Sequence, residues 1–204
     1  MRRFDTNDVD LIRMSLKGDN MAFAELVRRH DRAVFGLIAR YVDNAEDAKD
    51  LYQEVFLRVH RKLKDFQFRS EFSTWVYRIT VNICLDHAKS VRRSVLANAE
   101  PMRTERSDGS EHEKEPISLS PGPEQHSIDA EVAGRIRKAM LVLPPRQRMT
   151  FVLRHDEGRS IKEIAQTLGC GEGTIKRYLY EATRTMRVEL KDLLHPGSAE
   201  RVNR

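Results

Sequence analysis

The stretch that most constrains the fold of this chain runs from Ser160 to Arg184 and reads SIKEIAQTLGCGEGTIKRYLYEATR. Ser160, followed three residues later by Glu163, forms a capping box, which predicts that a helix starts there. Gly169 stands where the end of a helix favours a left-handed residue. Apolar residues recur at helical spacing on both sides of this glycine. Two short helices around a glycine turn are typical of a helix-turn-helix.

The second of these helices is expected to present basic and aromatic side chains. Ala165 is small where the two helices must cross closely, and Ile175 and Leu179 supply the inward face of the second helix. The residues left to face outward are Lys176, Arg177, Tyr180 and Arg184. Such side chains suit phosphates and base edges. We therefore interpret the motif as a DNA-binding element rather than as a surface hairpin with an ordinary charged face.

Composition limits the class of protein. The chain has 204 residues, of which 40% are hydrophobic and 33% charged, which is typical of one large or two small globular domains. No apolar run approaches the roughly 20 residues of a membrane span, and the N-terminus, MRRFDTNDVD, does not read as a signal peptide. We expect a cytoplasmic protein with no membrane insertion of its own. Cys84 and Cys170 are expected to be reduced and buried.

The charge is distributed in three blocks. Residues 1–95 carry 18 basic residues (Lys and Arg) and 14 acidic residues (Asp and Glu), so this block is basic. Residues 96–126 carry 3 basic and 7 acidic residues, and residues 127–204 carry 15 basic and 10 acidic residues. Basic blocks are electrostatic footprints for nucleic acid. The acidic segment between them is rich in Pro, Ser and Gly and has no apolar period, so we predict a flexible linker there.

Apolar periodicity predicts helices on both sides of this linker and no strands. The N-terminal helices are expected at 8–18, from Asp19 or Asn20 to Tyr41, from Ala45 to just before Phe66, and from a Ser70 cap to about Arg93. The C-terminal helices are expected from Ser127 to Leu143, from Pro145 to Gly158, and through the motif towards Leu194. The predicted fold class is therefore all-α, with two small helical domains joined by a flexible acidic linker. Their predicted bounds are 1–95, 96–126 for the linker, 127–195 for the helix-turn-helix domain and 196–204 for a tail.

The segment 66–72, FQFRSEF, places three aromatic residues around Arg69 immediately before a helix. That helix carries Arg78 and Asn82 at exposed positions. Aromatic and basic residues interleaved in this way suit stacking on unpaired bases with phosphates alongside. For Phe72 and Trp75, burial in the core is the expected outcome.

Three stretches, in this order, resemble bacterial sigma factors of the extracytoplasmic-function (ECF, group 4) type in the sigma-70 family. They are DAKDLYQEVFLRVHRKL (47–63), FQFRSEFSTWVYRITVNICLDHAK (66–89) and LPPRQRMTFVLRHDEGRSIKEIAQTLGCGEGTIK (143–176). The resemblance implies a non-enzymatic factor that directs promoter-specific initiation, with one domain for each promoter element and a linker that threads RNA polymerase. The implied partners are core RNA polymerase, through its β′ clamp and β flap, promoter DNA and an anti-sigma factor. It implies no cofactor and no small-molecule substrate.

The resemblance also assigns roles to residues of the first domain. Those expected to dock on the polymerase β′ clamp are Asp50, Gln53, Glu54 and Arg58. Those expected to bind the −10 element as single-stranded DNA are Phe66, Phe68, Arg69, Ser70, Arg78, Asn82, Lys89, Arg92 and Arg93. Within this set, Asn82 would hydrogen-bond the edge of an extruded base, and the last three residues would hold phosphates.

In the second domain, helix 172–184 is expected in the major groove of the −35 element. The residues expected to contact it are Thr174, Lys176, Arg177, Tyr180, Glu181 and Arg184. The sequence departs from the family pattern, because Tyr178, Glu181 and Thr183 stand where the family often has arginine and Gly171 replaces a frequent proline. A glutamate cannot bind phosphate, although it can accept a hydrogen bond from a cytosine amino group.

Two other classes of protein compete with this interpretation. A metal enzyme is disfavoured, because no cluster combines two ligands at i, i+4 with a third ligand nearby. The clusters available are His30 with Asp31, Glu54 with His60, and His112 with Glu111 and Glu113. A dimeric repressor or activator with an N-terminal sensor domain would share the helix-turn-helix. A dimer that binds duplex DNA alone would indicate this second class, whereas a monomer that needs core polymerase would indicate a sigma factor.

Overall fold

The computed structural model describes residues 6–98 and 126–194. The chain divides into two compact units, Met1–Pro116 and Ile117–Arg204. All regular elements within the described ranges are helical, which confirms the all-α fold class. Most of the predicted acidic linker, the C-terminal tail and the cluster around His112 lie outside the described residues.

Within residues 6–98, the N-terminal unit contains four helices, α1 (Asp8–Leu16), α2 (Asn20–Tyr41), α3 (Ala45–Lys62) and α4 (Phe72–Asn98), with a 3₁₀ turn at Leu63–Asp65. Asn7, Asp19 and Asn44 each accept a hydrogen bond from a backbone N–H in the first turn of the helix that follows. These contacts are N-caps, so Asp19 rather than Asn20 caps α2.

The core of this unit is apolar and draws on all four helices. Helix α1 packs on α2, and α2 and α3 both pack on α4. The predicted inward face of α3 is confirmed, because all five of its residues are buried: Leu51, Val55, Phe56, Val59 and Leu63. Phe72 is also buried, as expected, whereas Trp75 is only half-buried.

The start of α4 differs from the sequence-based expectation. This helix begins at Phe72, so Glu71 occupies the N-cap position, and its carbonyl oxygen accepts a hydrogen bond from the Trp75 N–H at 3.2 Å. The prediction that Ser70 caps the helix was therefore wrong. Burial of Phe72 fixes where the helix can start, and Ser70 is left in the preceding loop.

In the described part of the C-terminal unit, residues 126–194, there are five helices: α5 (His126–Val142), α6 (Pro145–His155), α7 (Ile161–Leu168), α8 (Glu172–Glu189) and α9 (Lys191–Leu194). Pro145 occupies the first position of α6, where a missing N–H costs no hydrogen bond. Helix α8 packs against α5, α6 and α7. The helix expected to read DNA is therefore fixed by three others.

Helices α7 and α8 form the predicted helix-turn-helix. The Ser160 N–H donates to the Glu163 carboxylate at 2.8 Å, and the Ser160 hydroxyl accepts from the Glu163 N–H at 3.3 Å, which confirms the capping box. Gly169 has a φ of 63°, in the left-handed region that a side chain would disfavour. Ala165 and Ile175 are buried, as a close helix crossing requires.

The end of α8 also differs from expectation. The helix was predicted to continue towards Leu194, but Leu190 leaves the helical conformation, with φ −106° and ψ 14°. Met186 is buried, whereas Val188 is 69% exposed. Beyond Met186 the helix has little buried apolar face, and packing of such a face supplies most of the stability of a helix.

Candidate nucleic-acid interfaces

Helix α8 presents the predicted basic and aromatic face to solvent. Lys176, Tyr180 and Arg184 follow one another at intervals of four residues, and all three are exposed, Tyr180 by 70%. Arg177 is exposed beside them, and Thr174 is half-buried near the start of the helix. The residues predicted to contact the −35 element thus share one helix face.

Glu181 lies on the same face but is already engaged. Its carboxylate accepts a hydrogen bond from the Gln147 side-chain amide at 2.6 Å, which connects α8 to α6. The carboxylate also lies 3.8 Å from the Nε atom of Arg177. The Arg177 guanidinium lies 5.7 Å from the centre of the Tyr178 ring. Two of the departures from the family pattern, Glu181 and Tyr178, therefore surround Arg177.

Helix α4 carries the basic face predicted for the N-terminal unit. The predicted DNA-contacting residues of this helix are all exposed: Arg78, Asn82, Lys89, Arg92 and Arg93. Their spacing places them on one side of the helix. Asp86 shares this side and pairs with Lys89 at 3.1 Å. The face remains predominantly basic.

The loop before α4 holds Phe68 in an unusual conformation. Phe68 has a φ of 55°, and it is the only non-glycine residue with a positive φ in 6–98 and 126–194. A bulky residue at positive φ is strained, and such residues cluster at binding sites. The Phe68 side chain is 45% exposed. The structure therefore presents one aromatic ring of the loop to solvent.

The other predicted aromatic contact, Phe66, is buried at 7% exposure. The Phe66 ring centre lies 4.9 Å from that of Phe68, 5.6 Å from that of Phe72 and 5.2 Å from that of Trp75. The sequence pattern did not distinguish the two phenylalanines, but the structure buries one beneath the other. Arg69 is exposed and Ser70 half-buried in the same loop.

A cleft of about 260 Å³ separates this loop from α1. Helix α1 contributes Asp8, Val9 and Ile12 to its lining. Sequence analysis did not assign α1 to the region predicted to bind the −10 element. Periodicity along one helix identifies its buried face, but it gives no information about which distant loop packs beside it.

Asp8 belongs to an ionic network between α1 and α2 that sequence analysis also missed. It pairs with Arg29 at 3.1 Å and with His30 at 2.7 Å. The carboxylate of Glu25, which is only 4% exposed, accepts hydrogen bonds from Arg28 and Arg29 at 2.7–2.9 Å. Hydrogen bonding from Arg28, joined by Arg29, lowers the pKa of Glu25 to about 2.

The residues predicted to dock on polymerase share one face of α3. Asp50 and Gln53 are exposed, and the half-buried Glu54 and Arg58 form an ion pair at 2.7 Å. Leu57, which is 51% exposed, lies among them and was not identified from the sequence. The sequence did contain a signal for this residue, because a leucine outside the buried row of α3 is expected to be exposed.

The described residues contain no group of three or more His, Cys, Asp or Glu side chains placed to hold a metal ion.

Burial raises the pKa of the Cys84 thiol to about 12, so this thiol is protonated at neutral pH. Cys170 is half-buried in the turn between α7 and α8. Among the described helices, none is both long and apolar enough to cross a membrane.

Two helical units with exposed basic faces, one of them a helix-turn-helix, define a DNA-binding protein. The family model for sigma-70 region 2 matches residues 26–94, and the model for sigma-70 region 4 matches residues 133–186. The ECF RNA polymerase sigma-E factor of Escherichia coli K12 is 31% identical over 188 residues, covering 92% of this chain and 96% of that protein. The chain belongs to the ECF sigma factors of the sigma-70 family and is an RNA polymerase sigma factor.

Other relatives have similar coverage. The RNA polymerase sigma-H factor of Pseudomonas aeruginosa is 30% identical over 92% of this chain and 95% of its own length. The ECF sigma factor SigW of Bacillus subtilis is 29% identical over 89% of this chain and 96% of its own length. The solved structure of CnrH in complex with the cytosolic domain of CnrY matches with a TM-score of 0.58 at 21% identity, over 90% of this chain and 97% of that chain. The solved structure of RpoE with the anti-sigma factor NepR from Bartonella quintana matches with a TM-score of 0.57 at 19% identity, over 83% of this chain and 96% of that chain. These two structures support the fold.

Proposed function

We propose that this sigma factor recognises its promoter at two elements in different states. Helix α8 binds the −35 element as duplex, and the loop 66–72 with α4 binds the −10 element as melted single strand. One observation carries this proposal: each unit presents an exposed aromatic ring, Phe68 or Tyr180, close in the chain to a row of exposed cations. The corresponding modules are 1–95 and 127–195, joined by the acidic segment 96–126 and followed by the tail 196–204.

For the −35 element, α8 enters the major groove. Lys176, Arg177, Tyr180 and Arg184 supply donors and an aromatic surface for base edges and phosphates. Thr174 bonds a phosphate near the N-terminus of the helix, where the helix dipole favours an anion. Because Gln147 already binds its carboxylate, Glu181 orients Arg177 rather than contacting a base.

For the −10 element, the exposed ring of Phe68 stacks on an unpaired base, and Phe66 supports that ring from beneath. Asn82 hydrogen-bonds the edge of an extruded base. Arg78, Lys89, Arg92 and Arg93 hold the phosphates of the same strand. Because these contacts form only with the open strand, binding shifts the equilibrium of the promoter towards melting.

The same proposal includes the protein partners. The face of α3 that bears Asp50, Gln53, Glu54 and Arg58 docks on the β′ clamp of core polymerase, and the C-terminal unit docks on the β flap. Polar residues around the exposed Leu57 match the usual arrangement of an apolar centre and a polar rim. CnrH and RpoE are described in complex with CnrY and with the anti-sigma factor NepR, and we propose an anti-sigma partner here too. The factor acts in the cytoplasm with polymerase and catalyses no reaction itself.

Reconstitution with bacterial core polymerase tests this proposal. Transcription from a library of genomic fragments identifies the promoter, permanganate footprinting detects melting at −10, and protection from nuclease maps −35. Lys176→Ala should weaken the upstream footprint at moderate salt, whereas Lys138→Ala on α5 should not. Failure to bind core enzyme, or no transcript from any fragment, would contradict the proposal. A stable dimer that binds duplex DNA without polymerase would indicate a repressor or activator.

A further inference from the structure

The cleft beside Phe68 has two walls from distant parts of the chain. Helix α1 supplies Asp8, Val9 and Ile12. The loop and the start of α4 supply Phe66, Phe68, Arg69, Ser70, Glu71 and Phe72. The volume of about 260 Å³ lies below the roughly 300–1,000 Å³ of clefts that hold drug-sized ligands. One aromatic wall and this size suit one nucleobase.

Asp8 is the acidic residue held in place on the α1 wall. One of its carboxylate oxygens accepts from the Nη1 atom of Arg29 at 3.1 Å, and the other lies 2.7 Å from the Nε2 atom of His30. Arg29 is itself held by Glu25 at 2.9 Å, and the His30 ring meets the Phe72 ring edge-on at 5.2 Å. The Asp8 side chain remains 28% exposed. Its carboxylate is therefore positioned before any ligand arrives.

We propose that Asp8 selects the base that enters this cleft, accepting a base with an exocyclic amino group and rejecting thymine. This inference rests on the proposed reading of the −10 element as single strand. It adds to that reading a specificity-determining residue on α1, outside the loop and the helix α4.

The hydrogen-bonding chemistry of a carboxylate explains why bases with an amino group would be favoured over thymine. An ionised carboxylate only accepts hydrogen bonds, and each of its oxygens has room for more than one donor. Adenine, cytosine and guanine each carry an amino donor, whereas the one ring donor of thymine, N3–H, lies between two carbonyl oxygens that a carboxylate repels. Arg69 is exposed at the same cleft and donates only, so it is assigned to the phosphate beside the base.

Glu71 lines the opposite wall and has the same chemistry, but it is exposed. Asp8 is the better candidate because two basic side chains hold it, and a positioned acceptor loses less conformational freedom on binding. The experiment therefore has to separate these two carboxylates.

The test uses the complete factor assembled with core polymerase and fork-junction promoter DNA whose −10 element is single-stranded. Each amino base is replaced in turn by the analogue that lacks only the amino group: purine for adenine, 2-pyrimidinone for cytosine and hypoxanthine for guanine. We expect the wild-type holoenzyme to lose about tenfold in affinity at one position. Asp8→Asn should abolish most of that loss, because an amide both donates and accepts.

Matched variants assign the effect to Asp8. Asp10→Asn makes the same change on the same helix at a residue that pairs with Arg13 at 3.5 Å, and it should leave the tenfold loss intact. Glu71→Gln should also leave it intact. Selectivity abolished by Glu71→Gln and kept by Asp8→Asn would overturn the proposal.

The wild-type measurements decide the matter even if Asp8→Asn unfolds. If no amino group at any −10 position affects affinity while thymine and abasic substitutions still do, the role of Asp8 is overturned and the reading of the −10 element stands. If abasic sites throughout the −10 element also leave affinity unchanged, both proposals are wrong.

Discussion

The side-chain amide of Gln147 on α6 donates a 2.6 Å hydrogen bond to the carboxylate of Glu181 on α8. This bond joins α6 to the helix proposed to enter the −35 major groove. The same carboxylate lies 3.8 Å from Arg177 and so also guides a proposed DNA contact. The proposed role of this acidic residue is therefore to position other residues of the protein rather than to contact DNA.

This arrangement predicts the effect of Glu181→Gln. Glutamine can still accept the hydrogen bond from Gln147, but a negative charge near the phosphates is removed. We expect promoter binding by the holoenzyme to tighten by about threefold at low salt. The gain should be smaller at high salt, because salt screens the repulsion between the carboxylate and the phosphates. Titrations at several salt concentrations measure this. Glu189→Gln, at the far end of α8, is the control, and affinity lost at one C·G pair would instead assign base reading to Glu181.

A second prediction concerns Asn82, which is exposed on the basic face of α4. Asn82→Ala should reduce discrimination between correct and altered −10 elements by about tenfold, because one bidentate base contact is lost. Binding to core polymerase should not change, since the proposed docking face is on α3. Transcription from paired promoters measures the ratio, and Asn20→Ala on α2 is the matched control. The same discrimination by wild type and variant would remove Asn82 from the reading face.

The helix-turn-helix could be predicted from sequence because its signals are local. Ser160 and Glu163 contact each other within one turn, and Gly169 follows in the position that requires a positive φ. Each signal depends on residues only a few positions apart, so no knowledge of distant packing is required. The inward row of α3 was predictable for the same reason.

The arrangement of the N-terminal candidate site was predicted less completely because its parts meet through tertiary packing. The pattern FQFRSEF does not show that Phe66 is buried and Phe68 exposed, since that difference depends on Phe72 and Trp75. Nor does it show that Asp8, some sixty residues earlier in the chain, lines the same cleft. The charges of the α1–α2 network are visible in the sequence, but their pairing is not.

That network predicts a specific dependence of stability on pH. The pKa of Glu25 falls from 4.5 to about 2 in the folded protein, so the folded state binds fewer protons than the unfolded state. The stabilisation of the folded state by ionised Glu25 is therefore complete above about pH 4.5 and is lost as the pH falls towards 2. Glu25→Gln should lower the unfolding temperature of the N-terminal unit near neutral pH, and the difference from wild type should shrink below pH 4.5. Fluorescence of Trp75, the single tryptophan, reports this unit.

An exposed glutamate provides the comparison for this pH effect. Glu46→Gln in the first turn of α3 removes the same charge at an exposed site, so it loses only a weak interaction with the helix dipole and should lower the unfolding temperature less than Glu25→Gln does near neutral pH. A constant difference between Glu25→Gln and wild type from pH 7 to pH 2 would mean that Glu25 stabilises the unit through packing rather than through its charge.

Leu57 gives the last prediction, for the face proposed to dock on the β′ clamp. This residue is 51% exposed among Gln53, Glu54 and Arg58, so truncation removes little buried area in the free protein. We propose that Leu57 is one of the minority of interface residues whose truncation costs more than about 1 kcal/mol, which corresponds to about five- to tenfold in Kd. Leu57→Ala should therefore weaken binding to core polymerase by that factor while leaving the unfolding temperature unchanged. Leu16, which is 48% exposed on α1, is the matched control. If Leu16→Ala weakened core binding as much as Leu57→Ala, the docking face would extend beyond α3 or lie elsewhere, because two leucines of nearly equal exposure differ here only in location.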